Sequence, residues 1–215
     1  MLGLYVSVPV ACFRKGLARE FLETEAMPPP ATCYGFLLAL VGEGDRRRHL
    51  GVRVTAGILG IPARSTVLRT IWRLKDKTLG AAGNTRPDFQ QLLTGVELII
   101  WIDSADELHP ADPTLEERLR RGMANPSGID RYGGLSLGES THLIDEFWPL
   151  DSIHQPRLCD RSVNLYLLEP QGRLTLPVWV DHVGGAGTRY VTGNLQSLPA
   201  IEVPPTELLP QIQSG

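Results

Sequence analysis

The residues of this 215-residue chain best suited to bind something are its arginines, which make up 18 of its 21 basic residues. Ten cations lie between Arg46 and Arg86 (Arg46, Arg47, Arg48, Arg53, Arg64, Arg69, Arg73, Lys75, Lys77 and Arg86) against one acid, Asp76. That window carries +9 and leaves −12 on the rest of a chain whose total is −3. A near-neutral sum thus hides a strongly basic middle, the footprint of a nucleic-acid surface. A guanidinium is a planar fork that matches phosphate and base edges, which suits the role better than an ammonium. Arg69, Arg73 and Lys75 share one face of a predicted strand. Same-face neighbours there lie about 6.6 Å apart, near the spacing of successive phosphates in an extended single strand. Two other readings stay open: a solvated basic hairpin, and an arginine-rich scaffold that meets an acidic protein surface.

Covalent and metal chemistry find less support. His49, His109, His142, His154 and His182 never pair with another His, a Cys or a carboxylate at metal-ligand spacing. The run Gly138 to His142 lacks the last glycine of a nucleophile elbow. Gly133–Gly138 is followed by Glu139, not by the lysine of a P-loop. No catalytic set, metal or cofactor is therefore expected. The glycine segment has another use, which is to offer backbone N–H groups to a phosphate backbone. Cys12, Cys33 and Cys159 are odd in number and far apart, without a C-x-x-C pair. That predicts a reducing, cytoplasmic setting with neither a disulfide framework nor zinc. Val10-Ala11-Cys12 is only faintly like a lipoprotein cleavage box, since no basic residue precedes it. No run reaches the ~18 apolar residues of a membrane span.

These side chains need elements to hold them. A hydrophobic fraction of 42% suffices for a packed core. Leu2, Leu4, Val6, Val8 and Val10 alternate with Gly3, Tyr5, Ser7 and Pro9, a half-buried strand. Tyr5 points away from that core, either to stack on a base or to pack under another segment. An ordered loop follows, with a short helix at Leu17–Leu22. Pro28, Pro29 and Pro30 then stiffen the entry to a helix capped by Thr32. Cys33, Phe36, Leu37, Leu40 and Val41 form its apolar face, and Gly42 closes it. Tyr34, Leu38 and Ala39 make its other side apolar as well, so the helix is buried. Gly35 in mid-helix costs about 1 kcal/mol against alanine and predicts close approach by a backbone or a ligand.

Leu50–Ile58 alternates as a second strand. Thr66–Lys75 and the glycine-containing stretch after it form a basic arm, or hairpin, over about residues 64–91. Val96–Ile102 is continuously apolar, as a central strand covered on both faces would be. Asp112 caps a helix with Pro113 at its first position, Leu115 and Leu119 facing inward, and i,i+4 pairs Glu116–Arg120 and Glu117–Arg121. A glycine-containing segment at Tyr132–Ser140 leads into Thr141–Phe147. The order predicts an α+β fold: a ferredoxin-like, RRM-like core with the inserted basic arm. Residues 1–150 make that domain. Residues 151–215 make a small β-rich C-terminal appendage, with a hairpin at Val163–Glu169 and Arg173–Asp181, a last short strand at Arg189–Thr192, and an extended tail from Leu198.

Several short motifs along this frame are familiar. Ala11, Phe13 and Arg14 follow the first strand. Pro29, Pro30 and Thr32 precede Tyr34-Gly35 in the helix. Gly134-Leu135-Ser136-Leu137-Gly138-Glu139-Ser140 comes later. In this order and separation, across roughly the first 150 residues, they resemble the CRISPR-associated Cas5 family of the RAMP superfamily. The resemblance implies a subunit of a type I CRISPR Cascade surveillance complex. Such a subunit caps the 5′ handle of the crRNA, docks on backbone and large subunits, and serves target DNA recognition through the complex. It puts RNA-binding roles on Arg14, Lys15, the neighbouring Arg19, Tyr34, Gly35, Gly134, Gly138 and Ser140. The charge pattern adds Arg64, Arg69, Arg73, Lys75, Lys77 and Arg86 on the arm. Some relatives cut precursor crRNA themselves, which takes a base, an acid and a cation beside the 2′-hydroxyl. A Lys-His neighbour pair would fit, but Lys15, Lys75 and Lys77 are followed by Gly16, Asp76 and Thr78. The expectation is a binding subunit, with a metal-independent endoribonuclease as the alternative.

Overall fold

The apolar run Val96–Ile102 closes a 19-residue strand, β5 (Thr85–Asp103), and the sheet is built on both of its edges. The computed structural model describes residues 1–16, 21–72, 75, 78, 80–108, 113–150 and 155–215. Strand β1 (Leu2–Ala11) lies antiparallel to the second half of β5, from Leu2 opposite Ile102 to Ala11 opposite Leu93. On the other edge β3 (Arg53–Leu59) runs antiparallel from Arg53 opposite Asp103 to Ile58 opposite Leu98. Leu98, Ile99, Ile100 and Ile102 are fully buried because both faces of this strand are covered. A short strand, β2 (Phe21–Leu22), runs parallel to β5 at Phe89–Gln90, where a short helix was expected. Strand β4 (Ala63–Trp72) pairs antiparallel with the first half of β5.

Outside β1 sits β6 (Glu146–Pro149), which starts later than the expected strand at Thr141. Beyond β3 the same sheet continues through β7 (Ser162–Leu168), then β9 (Arg189–Pro199), then β8 (Leu174–Trp179). The order across the sheet is thus β6-β1-β5-β3-β7-β9-β8. β9 is longer than the short strand expected at Arg189–Thr192, because its far half pairs with β7 up to Ser162 opposite Pro199. The tail returns to the start of β3. Val54 N donates to Pro210 O (2.8 Å), Ile212 N donates to Val52 O (2.8 Å), and Leu209 and Ile212 are fully buried.

Helix α1 (Pro30–Leu40) begins two residues before the expected Thr32 cap. Pro30 is its first residue, where the missing N–H costs nothing, and Pro29 is the cap residue with no side-chain bond. Its end follows expectation. Gly42 N donates to Ala39 O (3.3 Å), Glu43 N donates to Leu38 O (2.9 Å), and Gly42 takes the left-handed φ of +67° that this ending requires. Helix α2 (Leu115–Ala124) starts two residues after the expected Pro113. Thr114 is its cap. Thr114 Oγ1 accepts from Glu117 N (3.2 Å) and Glu117 Oε2 accepts from Thr114 N (3.0 Å), a reciprocal box that satisfies two end groups at once. Asp112 lies outside the described residues.

Both helices cover the face of the sheet that carries Leu4, Val6, Val8, Leu98 and Ile100. Tyr5 belongs to the opposite layer with Ile99, Trp101, Trp148 and Leu165. Its ring stacks on Trp148 at 4.3 Å and its hydroxyl donates to Glu97 Oε1 at 2.5 Å. Of the two readings of this tyrosine, the packed one holds.

A charged joint fastens the turn after α1 to α2. Arg118 donates to Glu43 Oε2 (2.5 Å) and to His49 Nε2 (2.9 Å), so His49 carries its proton on Nδ1 and gives it to Glu107 Oε2 (2.8 Å). Burial pushes the Glu43 carboxyl up, but Arg118, the Asp45 N–H and Arg48 outweigh it and hold it below the usual range. Burial also pushes Glu107 up, and His49, Ser104 and the Leu115 N–H bring it below. Depressed folded values stabilise the fold above the unfolded value of about 4.3. That stabilisation is lost as pH falls through the folded values. Arg118→Ala should therefore be less stable at pH 6, with a flatter decline on acidification below about pH 4.3. Denaturant midpoints across pH 2.5–6 check this. A curve parallel to that of the unaltered protein would remove the joint from the acid response.

Candidate nucleic-acid interface

Past β1 the chain turns back on itself between Phe13 and Glu25. Lys15 N donates to Glu23 O (3.0 Å), Glu25 N donates to Phe13 O (2.7 Å), and Arg14 bridges Thr24. This sets Arg14, Lys15 and Gly16 along one wall of a groove of about 630 Å³. Its other wall is β8, the β8–β9 loop and the start of β9, with Thr175, Val180, Asp181, His182 and Tyr190. At Val180 and His182 the groove meets a second one, of about 360 Å³. The second runs over the Ala31, Thr32, Gly35 and Ala39 face of α1 and is bounded by Arg46, Ser136 and Gly138. Segments far apart in the chain therefore line two adjoining grooves that share Val180 and His182.

Local chemistry explains each wall. Gly138 has φ +103°, and a side chain there would begin 2.8 Å from the Cys12 carbonyl oxygen. The segment Tyr132–Ser140 is a loop, with glycines at positive φ at 133 and 138. One bridge, Ser136 to Leu143, closes it. His142 Nδ1 accepts from Cys12 N (3.1 Å) and Glu139 N (3.3 Å), tying loop to strand end, and burial lowers its pKa below the usual histidine value. On the far wall, Asp181 accepts from Val183 N (2.9 Å) and Gly187 N (3.1 Å). Those N–H groups hold its carboxyl below the ordinary range.

Not every expected residue reaches the groove. Tyr34 is buried and its hydroxyl donates to the Arg46 carbonyl (2.8 Å), so it shapes the turn before Arg47 and does not face the opening. Burial also raises its phenol pKa. Gly35 does line the groove, and of its two readings the close backbone does not hold, with nothing within 4 Å of where its Cβ would stand. Gly134 and Ser140 are exposed on the loop outside the groove's lining. Arg46, by contrast, was read only as part of a basic turn. It lines the groove, stacks on Trp179 at 4.3 Å, and donates to Val180 O at 3.0 Å. No local pattern links it to residues more than 130 positions away. The β8–β9 loop was likewise not singled out, although Gly184, Gly185 and Gly187 mark it.

Over 214 residues the chain is 51% identical to the CRISPR-associated protein Cas5 of Myxococcus xanthus (strain DK1622), covering 99% of this chain and 97% of that one. The chain belongs to the Cas5 family. No protein-family model matches it. Among solved structures, one chain titled CRISPR RNA-guided surveillance complex shares the fold with a TM-score of 0.57, at 15% identity, over 92% of this chain and 90% of that one. A second, titled Cas protein, has a TM-score of 0.49 at 15% identity and covers 98% of this chain and 97% of its own.

In this Cas5-family chain the basic window is less uniform than its charges suggest. Register puts Arg69 of β4 opposite Asp88 of β5, and the two pair at 2.9 Å with Asp88 wholly buried. The acid lies two positions past the end of the basic window, and Arg69 is committed to it. The other side of this hairpin exposes Leu68 (65%) and Trp72 (67%). Arg64 and Lys75 are exposed and Arg86 is half-buried, while the Lys75 N–H donates to Asn84 Oδ1 (2.9 Å). Arg19, Arg73 and Lys77 lie outside the described residues.

Proposed function

We propose that this chain is a non-catalytic RNA-binding subunit of a type I CRISPR Cascade surveillance complex. In this reading it caps the 5′ handle of the crRNA, docks on backbone and large subunits, and serves target DNA recognition through the complex, as a cytoplasmic ribonucleoprotein. The observation that carries it is a pair of adjoining grooves: Arg14 and Lys15 line one, Gly35 and Gly138 line the other, and Val180 and His182 line both. The order β6-β1-β5-β3, with α1 and α2 in the two crossovers, supports a ferredoxin-like unit as its frame. The β4–β5 hairpin supports a basic arm beside it. The chain's lysines lack a histidine neighbour, which favours holding RNA over cutting it.

The test is to purify the chain and mix it with labelled repeat RNA, with and without divalent metal. The expected result is binding that needs the 5′ handle, with the RNA left intact. Cleavage at one fixed repeat position would put the endoribonuclease reading in its place. Failure to bind any RNA, with capture of an acidic protein subunit, would favour the scaffold.

A further inference from the structure

Gly35 sits in the middle of a buried helix, yet nothing in the chain requires a glycine there. Its φ is not in the left-handed region, and a Cβ would meet nothing within 4 Å. The open space above it is the groove of about 360 Å³, and Arg46 stands at the edge of that space. The Arg46 guanidinium is held in two ways, by its stack on Trp179 and by one N–H given to the Val180 carbonyl. Among the described residues no carboxylate pairs with it. A guanidinium has five N–H donors in a fixed fork, so most of them remain to be used. A half-buried, oriented cation without an anion, facing room left by an absent side chain, has the chemistry of a phosphate site.

We propose that this groove is a phosphate subsite for single-stranded RNA, with Arg46 as its cation and Gly35 keeping the room for the nucleotide. The proposal rests on the RNA-binding reading above and gives it a place. Where the groove opens at Val180 and His182, the strand passes on toward Arg14 and Lys15.

Gly35→Leu places its Cβ in open space and the rest of its side chain in the groove. It should leave the melting temperature unchanged or higher and lower handle RNA affinity by about tenfold or more. Arg46→Gln should flatten the log affinity against log salt slope by about 0.7, the share of one phosphate on a single strand. Arg46→Lys keeps the charge without the fork and should fall between. If the unaltered protein binds RNA and both Gly35→Leu and Arg46→Gln bind equally well, the subsite is refuted. If the unaltered protein binds no RNA, inorganic tripolyphosphate followed by NMR still decides. A shift of the Gly138 amide that disappears in Arg46→Gln would keep an anion site and sink the RNA reading. No shift would sink both.

Discussion

Replacing Arg69 by leucine should cost the fold about 2 kcal/mol, between the 3–5 kcal/mol of a broken buried pair and the 0–1 kcal/mol of an exposed one. Asp88 is fully buried while the Arg69 side chain is 36% exposed, so removing the cation strands a carboxylate inside the protein. For a chain of this size that corresponds to a melting temperature lower by roughly 4–8 °C. The pair itself is imperfect. Asp88 Oδ1 and Arg69 Nε are buried without a hydrogen-bond partner. Replacing both residues by leucine should therefore recover much of the loss, as apolar substitutes for buried ion pairs do. Thermal melts of the two single variants and the double variant measure this coupling. Three melts that coincide with the unaltered protein would mean the pair contributes nothing. The same result bears on function, because an arginine held by a buried acid is a poor choice for a phosphate contact along the hairpin.

The second large effect concerns the other groove wall. Arg14→Gln with Lys15→Gln should flatten the salt dependence of handle RNA binding by roughly 1.4 in log–log slope, for two phosphates at about 0.7 each. Stability should hardly change. Arg14 is exposed, and Lys15 meets Glu23 at 3.9 Å with both side chains nearly half exposed, so the lost pairing contributes little. Affinity measured from 50 to 300 mM salt for the double variant decides the matter. A slope equal to that of the unaltered protein would take Arg14 and Lys15 out of the RNA path and leave the subsite at Arg46 to be judged alone.

Local pattern carried the reading of many elements. The alternation at Leu2–Val10, the apolar face of α1 with Gly42 behind it, and the continuous run at Val96–Ile102 are each legible because burial imposes a period on the chain. Boundaries were less legible where two caps competed. Thr114 and Glu117 form the box that starts α2, and the T-x-x-E signature was present in the sequence beside the more conspicuous Asp112-Pro113. At α1 the proline itself opens the helix and leaves Thr32 inside it.

The chain's own sequence determined β1, the apolar faces of α1 and α2, the apolar run of β5 and the basic middle, since each depends on residues close to one another along the chain. The groove was decided only by tertiary structure. Arg46 reaches Val180 across 134 positions and His142 reaches Cys12 across 130. Periodicity states which face of an element is buried and is silent about what covers it. For the same reason Arg69 read as a free cation until the hairpin register set Asp88 against it. Gly35 read as a point of approach by a backbone or a ligand, and only the fold showed that no backbone comes near it.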